Sequence, residues 1–465
     1  MAEEVWMLQT KKADFKQIGA RFRIDPVTAR IIRNRGIEGE AAIDRYLNGT
    51  LDDLYDPMLL KDMERAVSIL CEAVDTGKKI RIVGDYDIDG VCSTYILLQA
   101  FERLGSDVDF EIPDRIKDGY GINESIIEQA HADGVEVILT CDNGISAFHQ
   151  VELAKKYGMT VVITDHHEVP LDGEKEKIPP ADAVIDPKQA DCPYPFPEIC
   201  GAVVAYKLVQ VLYARRGVPQ MEWLDLLEFA AIATVGDVMK LQDENRILVK
   251  YGLKKMAQTK NLGLRRLAEK NNLDLGAITA YHIGFVIGPC LNAGGRLKTA
   301  KEALALLRAQ SEEEAERLAE ELKELNDTRK DMTEQGTEAA KLQVESWYQK
   351  DKVLVVFLPE CHESLAGIIA GRLREYYQKP AIVLTRGEEA VKGSGRSIDE
   401  YHMFKKLTEV SDLLLKFGGH PLAAGLSLEE KNIDEFRRRL NENAGLTEED
   451  FKAKVWIDVP MPVGY

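Results

Sequence analysis

No apolar run in this chain approaches the roughly 20 residues that a membrane-spanning helix needs. The longest candidate, Trp223 to Met239, is broken by Asp225, Glu228 and Asp237. The first residues, Met-Ala-Glu-Glu-Val-Trp, lack a basic region followed by an apolar core, so no signal peptide is expected. Paired cysteines are missing as well. The seven cysteines, at 71, 92, 141, 192, 200, 290 and 361, are odd in number and form no C-x-x-C pair. That pattern argues against a disulfide framework or a structural zinc site and fits a reducing cytosol. Positive charge is in deficit: 60 Lys and Arg against 78 Asp and Glu leave a net charge of −18. A non-specific nucleic-acid coat protein is therefore disfavoured, although a local basic groove is not.

The chain does carry enough apolar residues, 45% of 465, for two or three soluble domains. Between Pro57 and Val235 strand and helix patterns alternate. Lys79 to Val83, Val108 to Ile112, Val135 to Leu139, Thr160 to Thr164 and Ala183 to Ile185 read as strands. Helical patterns at Met63 to Thr76, Val91 to Leu104 and Asn123 to Ala132 separate the first of them. Repeated β-α-β units predict a mostly parallel sheet covered on both faces. Ser311 to Lys350 is charged and poor in glycine, with Leu318, Leu322, Leu325 and Met332 at helical spacing. The expected fold class is α/β: a mostly parallel-sheet domain joined by a long helix to a smaller α/β domain. The expected bounds are 1–60 for a basic N-terminal helical extension, 61–310 for the catalytic domain, 311–350 for the linker helix and 351–465 for the second domain. Gly288 to Arg296 reads as a loop; two glycine motifs, Gly393 to Ser397 and Phe417 to His420, would each alone more often be a turn, but together they favour a cleft closed by two lobes.

Three strands deliver acids and histidines at their C-terminal ends. Asp85, Asp87 and Asp89 follow the first, Asp142 the third, and Asp165-His166-His167 the fourth. Those ends share one edge of a parallel sheet, where ligands bind. Carboxylates and imidazole without thiolate suit Mn²⁺ or Mg²⁺. Asp142 can bridge two ions through its two oxygens, His166 adds a nitrogen, and Asp237 closes the shell from another segment. Two ions roughly 3.5–4 Å apart suit in-line attack on a phosphodiester. The opening D-x-D-x-D-G also fits a calcium loop, but its twelfth position is Ile96 rather than Glu, and a strand precedes it. Which of Asp85, Asp87 and Asp89 touch metal is open. Gly-Ser-Gly-Arg-Ser and Gly-Gly-His in the second domain suit phosphate contacts.

With these residues in this order the chain resembles the DHH phosphoesterase family, most closely its bacterial single-strand-specific exonucleases, over nearly its whole length. The residues that carry the likeness are Asp85 to Gly90, Cys141 to Ile145, Asp165 to His167, Gly236 to Val238, Asn292 to Arg296, Ser394 to Ser397 and Gly418 to His420. The resemblance implies a Mn²⁺- or Mg²⁺-dependent enzyme with two ions. Its reaction would remove 5′-mononucleotides from the 5′ end of single-stranded DNA in recombination and repair. Asp85, Asp87, Asp89, Asp142, His166 and Asp237 would bind metal. His167 would stand beside the substrate phosphate among the catalytic residues Asp87, Asp89, Asp142 and His166. Arg115 and Arg296 would contact DNA from the first domain. Ser394, Arg396, Ser397, Gly418, Gly419 and His420 would do so from the second, the DHHA1 domain. Helicase and single-strand-binding protein are the implied partners, the cytoplasm is the implied location, and no membrane is involved. The alternative is the same chemistry on short oligonucleotides, cyclic dinucleotides or pyrophosphate. Cys290 and Cys361 stand where the family often has Arg and Trp. Members of the family usually continue into an OB-fold; this chain stops at Tyr465, just after a strand that would lead there, as either a truncated or a short member.

Overall fold

A computed structural model describes residues 4–461 and 464. It divides into two compact units, residues 38–326 and residues 1–37 with 327–465. The dividing point falls inside one helix, Glu312–Gln343. No helix among the described residues is long and apolar enough to cross a membrane.

The first unit holds a five-stranded sheet in the order Val108–Glu111, Ile80–Val83, Val137–Cys141, Thr160–Thr164, Ala183–Ile185. Every neighbouring pair is parallel. The apolar runs are continuous because both faces are buried. Ile80, Ile82, Val137, Leu139 and Val162 join one core with the helices Met63–Asp75, Ile88–Arg103 and Gly201–Arg215. Val83, Ile138, Val161 and Ile163 point the other way, into a core with Glu124–Ala132 and Phe148–Lys156. From Ile80–Val83 the chain passes first to one neighbour and then to the other. The strand order therefore reverses between Ile80–Val83 and Val137–Cys141, which opens a crevice at their C-terminal ends.

The second unit has its own five-stranded sheet, Leu414–Gly419, Ala423–Leu428, Val391–Arg396, Ala381–Arg386, Leu354–Phe357. Only the last two strands are parallel to each other. Here both glycine motifs lie in strands rather than turns. Gly393 and Gly395 pair with Leu384 and Ile382 on one side and with Leu426 and Ala424 on the other. Ladder bonds on both sides hold the backbone extended where the composition alone suggests a bend.

Two further expectations change. Gly288 to Arg296 is not a loop but most of a helix, Gly288–Leu297, that continues from a π-helical turn, Ile283–Ile287. Pro289 sits just where the π-helical turn passes into the α-helix. Gly295 serves close packing, since a Cβ there would lie 2.3 Å from the Tyr86 carbonyl oxygen. The 1–60 segment, read as one helical extension, is divided between the units. Glu4–Leu8 is a strand paired in parallel with Ala453–Ile457. Residues 38–60 instead attach to the Asp243–Met256 helix: Arg246 donates to the Tyr46 carbonyl (2.8 Å) and Lys250 to that of Gly49 (3.3 Å).

Candidate metal centre

The Ile80–Val83 strand leads through Gly84 to Asp85, which is buried. The chain then turns at once into the Ile88–Arg103 helix. A Cβ at residue 90 would lie 2.4 Å from the Asp85 carbonyl oxygen, so only glycine lets this helix start against the strand end. Asp87 caps the helix, its Oδ1 accepting from the amides of Asp89 (2.9 Å) and Gly90 (3.2 Å). Asp89 faces a second helix start. Its two oxygens accept from the Gly201 and Ala202 amides at 2.7 Å each. Unpaired N–H groups and the helix dipole favour a carboxylate there.

After Val137–Cys141, Asp142 takes a φ of 59°, the left-handed region that Asp tolerates better than a β-branched residue. Its amide donates to the Thr164 carbonyl (3.0 Å), and the Asp142 carbonyl accepts from the Tyr120 hydroxyl (2.6 Å). Asp165 is fully enclosed. It accepts from the amides of Ile145 (2.9 Å), His166 (2.7 Å) and His167 (3.2 Å), and its Oδ1 lies 2.7 Å from His167 Nδ1. It is spent on orienting its neighbours. Asp237 closes the Leu227–Gly236 helix.

Oxygen and nitrogen atoms of Asp85, Asp87 and Asp142 lie within 4.8 Å of one another, as do those of Asp89, His166 and Asp237. Asp142 also groups with His166 and His167. His166 Nε2 is 3.1 Å from Asp142 Oδ1, 3.5 Å from Asp89 Oδ2 and 3.8 Å from Asp237 Oδ2. Asp85 Oδ2, Asp142 Oδ1 and His166 Nδ1 are buried and take part in no hydrogen bond. Burial, with the Asp87 charge behind it, pushes Asp85 up to about 8. Burial and then the charges of Asp89 and Asp87 bring Asp237 to about 8 as well. Asp87 and Asp142 are raised by the same two causes. Crowded, buried carboxylates of this kind are what a divalent cation relieves. Burial lowers the His166 pKa and so favours the neutral imidazole that ligates metal. It acts in the same direction on His167, but there the Asp165 hydrogen bond and charge outweigh it and lift the pKa to about 9.

Arg115 and Arg296 belong to the same edge. The Arg115 guanidinium lies 3.9 Å above the Tyr86 ring, and the charges of both arginines reach Tyr86, between Asp85 and Asp87. The other six predicted residues belong to the second unit. There Arg396 Nη1 donates to Ser394 Oγ (3.1 Å) and to the Gly395 carbonyl (2.8 Å). Ser397 Oγ donates to the Tyr401 carbonyl (2.5 Å). Gly418 and Gly419 end a strand, and His420 is exposed at the turn beyond it.

Three contributors escaped the sequence reading. Tyr120 brings its hydroxyl within 3.0 Å of His167 Nδ1. The Gly201 and Ala202 amides come from a helix start with no acidic signal. Asp186 is buried at the end of the Ala183–Ile185 strand, its Oδ2 is unpartnered, and burial followed by the Asp165 charge pushes it up to about 7. Its signal, an acid just after a strand, was the one already used for Asp85 and Asp142.

Comparison with known proteins places these residues among relatives. Residues 79–234 match the family described as DHH family, N-terminal domain, and residues 350–445 match the DHHA1 domain. The chain is 38% identical over 451 residues to the single-stranded-DNA-specific exonuclease RecJ of Bacillus subtilis, covering 96% of this chain and 56% of that protein. It is 35% identical over 462 residues to the RecJ of Haemophilus influenzae, covering 95% and 79%. The crystal structure of Thermus thermophilus RecJ with Mn²⁺ superposes with a TM-score of 0.83 at 30% identity, covering 98% of this chain and 65% of that one. The Mg²⁺ complex of the same protein gives 0.76 at 28%, covering 98% and 63%.

Proposed function

The chain belongs to the RecJ family of single-stranded-DNA-specific exonucleases, and from that premise we propose that it is a divalent-metal-dependent phosphodiesterase that degrades single-stranded DNA from its 5′ end, releasing 5′-mononucleotides. The observation that carries this reading is the meeting of two three-residue ligand groups at Asp142 and His166, on the crevice edge of the parallel sheet. Asp85, Asp87 and Asp142 would hold one ion, and Asp89, His166 and Asp237 a second. Mn²⁺ or Mg²⁺ fits this oxygen-rich set with one imidazole. When bound, the ions supply a hydroxide near neutral pH and offset charge on the phosphoryl oxygens.

The remaining work falls to the protein's own groups. His167, positively charged and fixed by Asp165, donates to a non-bridging phosphate oxygen, and the Tyr120 hydroxyl steadies its ring. Arg115 and Arg296, both near Tyr86, bind phosphate, with the geometry that makes guanidinium suited to that anion. Ser394, Arg396, Ser397, Gly418, Gly419 and His420 are the second unit's phosphate contacts. The reaction serves recombination and repair in the cytoplasm, alongside helicase and single-strand-binding protein. Small nucleotides as the main substrate are disfavoured, because the curated single-strand exonucleases match over nearly the whole chain.

The test is to incubate the protein with Mn²⁺ and, separately, 5′-labelled single strands, duplex, dinucleotides and pyrophosphate. Labelled mononucleotide from single strands supports the reading. Turnover confined to dinucleotides or pyrophosphate refutes it.

A further inference from the structure

Within the first unit, a cavity of about 450 Å³ lies away from the metal centre. Small-molecule sites commonly measure roughly 300–1,000 Å³. The helices Ile88–Arg103 and Leu227–Gly236 supply Tyr95, Arg103, Glu228 and Phe229 to its walls. Both helices also reach the metal centre, but with other residues. Tyr95 follows Asp89 by six residues, and Glu228 precedes Asp237 by nine. At about 1.5 Å per residue these separations are ~9 and ~13 Å along the helices, so none of the candidate metal ligands lines the cavity.

The inner end of the cavity is aromatic and acidic. Tyr95 and Phe229 are buried, with ring centroids 4.3 Å apart and 48° between planes. Next to Phe229, Glu228 is 3% exposed. Its Oε1 accepts from Thr259 Oγ1 (2.7 Å), whereas Oε2 has no partner. A buried acceptor without a donor is costly, and more so when it is charged. The surrounding polar groups do not relieve it: Asn261 Nδ2 donates instead to the Tyr95 hydroxyl (3.1 Å) and the Leu307 carbonyl (2.7 Å).

The outer end is cationic. Arg103, Lys255, Lys260 and Arg308 line it. Glu222 pairs with Arg103, Asp225 with both lysines and Glu102 with Arg308, so four cations meet three acids. That local excess of positive charge runs against a chain whose net charge is −18. Lys260 is the most open of the four, with an 83% exposed side chain and its Asp225 partner at 3.6 Å.

A flat ring with N–H groups on its inner edge and an anion at its outer end answers all of these features. Guanine presents two adjacent N–H donors on one edge, and a carboxylate has two oxygens to receive them. We propose that this cavity is a binding site for a guanine nucleotide, with the ring against Tyr95 and Phe229, its N–H edge on Glu228 and its phosphate among Arg103, Lys255 and Lys260. The inference goes beyond the proposed function and stands without it.

The test is calorimetric titration of the full chain, with chelator present, by dGMP, dAMP, dTMP, deoxyguanosine and inorganic phosphate. dGMP binds most tightly, deoxyguanosine more weakly, and phosphate does not displace dGMP. In Glu228→Gln, Thr259 holds the amide oxygen and the NH₂ faces the ligand's own donors. That variant binds dGMP about 10- to 100-fold more weakly while its melting temperature at pH 8 does not fall. Asp142→Ala binds dGMP as wild type does. No binding of dGMP, equal affinity for the three nucleotides, or an undiminished affinity in Glu228→Gln overturns the site. Loss of dGMP binding in Asp142→Ala overturns it too, by assigning the nucleotide to the metal centre. A protein that binds dGMP as described but cleaves no single strand refutes the exonuclease reading and leaves this site supported.

Discussion

At the scale of single residues, two acids make opposite predictions. Asp142 joins two ligand groups and accepts no internal hydrogen bond through Oδ1. Replacing it with Ala removes charge repulsion, so the fold persists, while hydrolysis falls by more than about 100-fold, beyond what losing a ligand's hydrogen-bond partner costs. The Mn²⁺-dependent rise in melting temperature disappears too. A variant rate close to wild type would sink the two-ion assignment. Glu228 is buried on the Leu227–Gly236 helix, with Thr259 Oγ1 donating to Oε1 at 2.7 Å and Oε2 unpartnered. Burial raises its pKa from 4.5 to about 7. Its contribution is therefore fully present below about pH 4.5 and is lost as the pH rises through 7. The penalty at alkaline pH is on the order of 3 kcal/mol. Glu228→Gln, which imitates the protonated acid, should gain stability over wild type at pH 8 and match it at pH 4.5. Urea unfolding at both pH values checks this, and a gain independent of pH contradicts it.

At the scale of elements, the start of the Gly201–Arg215 helix does two things: it feeds two amides to Asp89, and its backbone lies against Asp142. A Cβ on Gly201 would sit 2.7 Å from the Asp142 Cβ. Gly201→Ala should cost about 1–3 kcal/mol of stability and also slow hydrolysis, because the added methyl displaces two ligands together. Full activity at reduced stability would show that the contact is packing alone. The same helix marks where sequence reading stops. The sheet strands were legible because burial on both faces makes them continuously apolar. The acids of Asp85 to Asp89, Asp142 and Asp165 to His167 were legible because they follow those strands. Gly201 was not, since a backbone amide leaves no side-chain signature. Gly288–Leu297 and Val391–Arg396 were misread because glycine serves tight packing and sheet pairing there, which resembles a turn in composition. Asp186 follows its strand as Asp85 and Asp142 follow theirs and carries the same signal.

At the scale of the whole molecule, the strand pair Glu4–Leu8 and Ala453–Ile457 carries the longest-range information. Nothing local marks either strand as the other's partner, which is why residues 1–60 looked like one segment. Two strands alone are marginal in water, so each holds the other in place. Deleting residues 1–9 should leave exchange at Ile80–Val83 and Val137–Cys141 unchanged and speed hydrogen exchange at Ala453–Ile457 by about 10-fold or more, the effect of losing even 1.4 kcal/mol of local stability. Protection retained at Ala453–Ile457 would mean that this strand stands without its partner.

That pairing also has a consequence for biosynthesis. The two strands are about 450 residues apart in the chain. At translation rates of roughly 5–20 residues per second, the first emerges from the ribosome some 20–90 s before the second. During that interval all of residues 38–326 is made, including every candidate ligand at the metal centre. The first unit can fold while Trp6 and its neighbours wait unpaired. The second unit, by contrast, is closed only after Ala453–Ile457 has left the ribosome, so a polypeptide stalled before that strand would carry a folded first unit and an exposed leading strand.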